Sequence, residues 1–84
     1  MDECDQRRYE EADASLNQVY KKLLLRLDDL EKTRLEHSQQ AWIKFRDANC
    51  ELASDFVYQQ CLTTMTRERT IELNNFQRRF LTRK

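Results

Sequence analysis

Neither glycine nor proline occurs at any of the 84 positions of this chain. Average usage would place about ten of these two residues in such a length, and they are the residues that interrupt helices. No segment shows the apolar–polar alternation of a half-buried strand. The chain is therefore predicted to be all-α.

At 84 residues the chain is expected to form one domain, 1–84. A domain this small buries roughly 60–65% of its unfolded surface, so it gains much from a staple or a partner. The longest uninterrupted apolar run is Leu23-Leu24-Leu25, far short of the ~20 residues that span a bilayer, so no transmembrane segment is expected. Three helices are predicted, over about 3–32, 34–54 and 61–82. Asp2 or Asp5 can cap the first, whose stripe is Tyr9, Ala12, Leu16, Val19/Tyr20, Leu23, Leu27 and Leu30. Thr33-Arg34-Leu35-Glu36 has the T-x-x-E form of a capping box opening the second. The second stripe is Leu35, Gln39, Trp42, Phe45/Arg46 and Asn49, with Ala53 and Phe56 as candidates to continue it; the third is Leu62, Met65, Arg69, Leu73, Phe76 and Phe80.

Without glycine or proline to mark it, the second break is the open question. A loop within Ser54–Gln60 makes a compact up-down-up three-helix bundle; a continuous helix over 34–82 makes a long hairpin that must dimerise to bury its stripe. The stripe changes register between residues 56 and 62, which favours the bundle. The same choice governs Cys50 and Cys61. In the bundle they flank the second connection and can form a disulfide; on one unbroken helix they stand about 16 Å apart and cannot. Three reduced thiols are the alternative. Cys4 is the odd third cysteine, given no mate in this chain and open to one in a partner chain.

The net charge is zero but unevenly placed. Residues 1–31 carry nine acids against five bases, and residues 56–84 carry six bases against Glu68 and Glu72. An acidic first helix lying beside a basic last helix explains this, and overall neutrality argues against nucleic acid as a partner. Arg78-Arg79 and Arg83-Lys84 suit a helix C-terminus, and Phe76 and Phe80 continue the core stripe. Cys4, Cys50, Cys61 and His37 have the element types of a zinc site but no zinc spacing. Asp28 and Asp29 point in different directions on a helix and form no acid–base pair, and no base accompanies Cys4. No enzyme, metal or cofactor is expected. Met1-Asp2-Glu3-Cys4 opens acidic and polar, so no signal peptide is legible; a mature exported domain and a cytosolic protein would both begin this way.

The most informative set is Asp13, Asn17, Gln39, Arg46, Asp47, Thr66 and Arg69, polar residues spaced by three, four and seven beside Leu16, Tyr20 and Trp42. A solvated face has no need of Trp, and a plain core has no need of Arg. The expectation is a polar clasp in which Arg46 or Arg69 bonds Asp13 or Asp47 and fixes helix register.

Three segments carry a family resemblance: Ala-Asp-x-x-Leu-Asn-x-x-Tyr at 12–20, Gln-x-x-Trp-Ile-x-Phe-Arg-Asp-x-x-Cys at 39–50, and Cys-Leu-Thr-x-x-Thr-x-x-Arg-x-x-x-Leu at 61–73. In this order, with an early Cys4, they resemble the bacterial LprI-like lysozyme-inhibitor domain over residues 4 to about 76. The resemblance implies an exported helical domain, periplasmic, secreted or envelope-anchored, that binds protein, with some members inhibiting lysozyme. It makes Cys50 and Cys61 the disulfide, Trp42 the core anchor, and Asp13, Asn17, Tyr20, Gln39, Arg46, Thr66 and Arg69 motif positions. One departure bears on activity: the family's longer, Gly- and Pro-containing loop between its last two cysteines is here only Glu51–Gln60. The expected function is a lysozyme-binding module, monomeric or homodimeric, acting by steric occlusion through an acidic surface at Glu3, Glu10 and Glu11. The alternative is a structural or assembly subunit of the envelope that dimerises through its helices.

Overall fold

A computed structural model describes residues 3–81. Three helices follow one another, α1 over Glu3–Leu24, α2 over Asp29–Cys50 and α3 over Tyr58–Phe80. They run up, down and up in an elongated bundle with principal extents of 43 × 21 × 18 Å. Asp2, Thr82 and the pair Arg83-Lys84 lie outside the described residues.

The first helix is eight residues shorter than the apolar pattern predicts, ending at Leu24 instead of residue 32. The reason is local and electrostatic. Asp28, with extended backbone, accepts a hydrogen bond from the Glu31 N–H at 2.8 Å, and Glu31 accepts one from the Asp28 N–H at 3.0 Å. This D-x-x-E capping box satisfies two donors that a helix start otherwise leaves orphaned. Thr33 forms no cap; its hydroxyl donates back to the Asp29 carbonyl at 3.2 Å, inside a helix already begun. Leu30, expected on the core stripe, is consequently turned to solvent and 60% exposed. Acids in the first turn of α1 (Glu3, Asp5) and lysines in its last (Lys21, Lys22) complement its dipole.

The second break falls at residues 51–57, so the continuous-helix alternative is excluded. Cys50 and Cys61 form a disulfide across it, with Cα atoms 5.6 Å apart. The sulfurs pin the C-terminal end of α2 to the first turn of α3, which begins three residues earlier than expected.

The core is built around Leu16, Leu23, Leu73 and Leu81, with Val19, Tyr20, Leu27, Leu35 and Trp42 packed against it. The most extensive interface is between α1 and α3, where small residues (Ala12, Thr63, Thr66) are buried and let the backbones approach. The Thr63 and Thr70 hydroxyls donate to the carbonyls of Gln59 and Thr66, each at 3.0 Å, so they enter the interface with their hydrogen bonds already made. At the other end, Arg26 in the α1–α2 turn donates to the Gln77 side chain at 3.3 Å and to the Leu81 carbonyl, closing the C-terminus of α3.

Candidate functional site

Because α1 packs chiefly on α3, α2 stands away from α1 and leaves an open groove of about 360 Å³ between them. Tyr9, Asp13, Asn17 and Tyr20 line it from α1, and Gln39, Trp42 and Arg46 from α2. These are residues of two sequence motifs more than twenty positions apart, brought together by the antiparallel turn. Asp47 follows Arg46, and Thr66 and Arg69 join from α3 through hydrogen bonds. The nine motif residues thus occupy one contiguous region at the junction of three helices.

Arg46 is its centre. It is only 8% exposed, and its guanidinium is engaged on every side. Nη1 donates to the Tyr9 hydroxyl and to Thr66 Oγ1, each at 3.4 Å. Nε and Nη2 reach Asp47 Oδ1 at 3.0 and 2.9 Å. The guanidinium carbon lies 5.1 Å from the centroid of Trp42 and 5.8 Å from that of Tyr9. Arg69 completes the arrangement from α3, donating from Nε to Gln39 Oε1 at 3.0 Å and from Nη2 to Ser38 Oγ at 2.9 Å. Its guanidinium carbon is 5.8 Å from the Trp42 ring, and Nη1 pairs with Glu72 at 3.5 Å. Two guanidiniums therefore lie against Trp42, each such contact contributing about 0.5–2 kcal/mol depending on desolvation.

Of the two carboxylates expected to meet an arginine, Asp47 pairs with Arg46 and Asp13 does not. The Asp13 carboxylate accepts instead from Asn17 Nδ2 at 3.4 Å on the exposed groove wall. The physical reason is register: α2 crosses α1 so that Arg46 lies level with Tyr9, one turn before Asp13. Tyr9 and Ser38 are participants that sequence reasoning did not assign; Tyr9 stands one turn from Asp13 on the same stripe, the one hint available. The Tyr20 phenol is pushed above its ordinary value, first by burial and then by the negative charge of Glu36.

Among the described residues no buried side-chain nitrogen or oxygen lacks a hydrogen-bond partner. Arg46 and Arg69 make the cross-helix bonds of this site, to Tyr9, Thr66, Gln39 and Ser38, an arrangement suited to holding the helices in one register. Cys50 and Cys61, being joined to each other, cannot serve as zinc thiolates; His37 and Cys4 are exposed. No helix among the described residues is long and apolar enough to cross a membrane.

The expected core role of Phe76 and Phe80 needs correction. Their ring centroids lie 5.0 Å apart with the planes tilted by 50°, but they are 45% and 63% exposed. They form one wall of an open apolar groove of about 590 Å³, floored by Leu23, Leu27, Leu35 and Leu73. Leu81, absent from the expected stripe, is buried in their place. Glu3, Glu10 and Glu11 are all exposed on α1, and Glu10 accepts from Gln6 at 3.0 Å.

Fold and site together define a small disulfide-closed helical scaffold with a polar-aromatic junction of its three helices around Arg46 and Trp42. The sequence profile of the family described as lysozyme inhibitor LprI matches residues 1–73, and the chain belongs to that family. An uncharacterised protein of Rhizobium meliloti (strain 1021) is 30% identical, over 83% of this chain and 66% of its own length. The chain thus spans just under two thirds of that relative. No solved structure matches the chain.

Proposed function

We propose that this chain is an exported protein-binding module that inhibits a lysozyme by covering its cleft. The observation that carries the reading is the family match over residues 1–73. The Cys50–Cys61 disulfide supports an oxidising compartment such as the periplasm, the envelope surface or the exterior. The polar-aromatic clasp around Arg46 serves as scaffold, and binding falls to exposed surface. Glu3, Glu10 and Glu11 on α1 supply carboxylates that steer a basic enzyme toward the bundle.

The test is residual activity of several lysozyme classes titrated with the oxidised chain. Stoichiometric inhibition of at least one class is expected. Reversing the three glutamates to lysine is expected to slow association and flatten its dependence on salt. Absence of inhibition in every class would overturn the reading; unchanged association after reversal would overturn the surface assignment alone.

A further inference from the structure

The two most exposed large apolar side chains among the described residues are Phe56 at 90% and Leu52 at 87%. Both belong to the connection 51–57, together with Val57 at 42%. One exposed leucine on a surface is ordinary, but three apolar groups on one short connection need a reason. This connection is also held still. The disulfide closes its base, and turn hydrogen bonds run from the Leu52 N–H to the Asn49 carbonyl (3.1 Å), from Ala53 to Cys50 (3.1 Å) and from Val57 to Ser54 (3.0 Å). A loop ordered in advance loses little entropy on binding, so burial of its apolar tip is not spent on ordering it.

Its charge is equally one-sided. Residues 47–66 contain Asp47, Glu51 and Asp55 and no base. Asp47 is engaged by Arg46, which leaves Glu51 next to Leu52 and Asp55 next to Phe56 in the connection. The bond from Gln59 Nε2 to Gln6 Oε1 at 3.1 Å ties this end of α3 to the start of α1, where Glu3 and Asp5 stand with Arg7 and Arg8, so the negative balance of the tip is that of its own Glu51 and Asp55. An anionic lipid surface would repel such a tip, whereas a cationic protein would attract it.

We infer that the disulfide-closed loop 51–57 is the docking element of this protein, with Phe56 and Leu52 entering an apolar recess of a cationic partner while Glu51 and Asp55 meet basic groups on its rim. The inference rests on the reading of the target as a lysozyme and names the part of the chain that makes the contact. Aromatic anchors at the centre of an interface carry a disproportionate share of its affinity.

The test uses the oxidised full chain and a c-type lysozyme, with the dissociation constant measured by calorimetry. Four proteins are compared: wild type, Phe56→Ala, the double variant Leu52→Ala/Phe56→Ala, and Leu25→Ala. Leu25, 86% exposed in the α1–α2 turn at the opposite end of the bundle, serves as control. Phe56→Ala is expected to weaken binding about 30-fold, the double variant further, and Leu25→Ala not at all. All four should melt alike, because the replaced side chains are exposed. Wild-type binding that the double variant retains in full overturns the docking assignment and leaves the inhibitor reading intact. No wild-type binding to the c-type lysozyme, nor to the other lysozyme classes measured in the same way, overturns both. Binding to neutral phosphatidylcholine vesicles, or a dimer in sedimentation, that only the double variant loses would overturn the cationic partner in favour of a bilayer or a second copy.

Discussion

The clearest quantitative consequence of the fold concerns the bridge between Cys50 and Cys61, which closes a sequence separation of 11. In the chain-entropy picture, a closed loop of that length removes about 9 cal/mol/K from the unfolded ensemble, or about 2.8 kcal/mol at 25 °C. A chain of this size has only about 4–13 kcal/mol of stability in all, so the bridge is a large fraction of it. At about 4–8 °C per kcal/mol for a domain of this length, reduction should lower the melting temperature by about 11–22 °C. The cleanest perturbation is reduction of a Cys4→Ser protein, compared with the same protein oxidised. Replacing Cys50 itself would confound the result, because the residue is fully buried and a serine hydroxyl there would add its own desolvation cost of about 1–3 kcal/mol. Far-ultraviolet circular dichroism through a thermal ramp is the assay, and the reduced protein should retain its three helices at low temperature. A fall of less than about 3 °C would refute the reasoning: the two ends of the loop would then be held equally well by packing alone. Reduction should also free loop 51–57 and weaken any binding that depends on its order.

Two further outcomes follow from named contacts. Asp28→Ala removes the capping-box acceptor and is expected to cost about 1 kcal/mol, whereas Thr33→Ala should leave the melting temperature unchanged; the reverse order would restore the later helix start. Arg46→Met keeps volume but loses two aromatic contacts and leaves the buried Thr66 hydroxyl without its guanidinium donor. An expected loss of about 2 kcal/mol in chemical denaturation checks this, and an unchanged midpoint would show that Arg46 merely fills space.

What was legible in the sequence is which helix faces meet. Spacings of three, four and seven placed Asp13, Asn17 and Tyr20 on one helix face and Gln39, Trp42 and Arg46 on another, and those faces do meet. What spacing could not supply was the offset between the faces. Sliding one helix by a single turn leaves each stripe intact and changes every cross-helix partner, which is why Arg46 meets Tyr9 and not Asp13.

By itself the amino-acid sequence determined that this chain is helical, for without glycine or proline and with helical periodicity throughout, the backbone has no competing local minimum of comparable depth. It also carried the three family motifs and the cysteines able to close the bundle. Where α1 ends was also written locally, in the carboxylates at 28 and 31 that cap α2 by bonding each other's backbone N–H groups, but the hydrophobic periodicity running on through residue 30 masks it. Tertiary structure alone decided that Leu81 is buried and that Phe76 and Phe80 are half bare. Periodicity names the face of a helix; how far a neighbour extends to cover that face depends on how the axes cross.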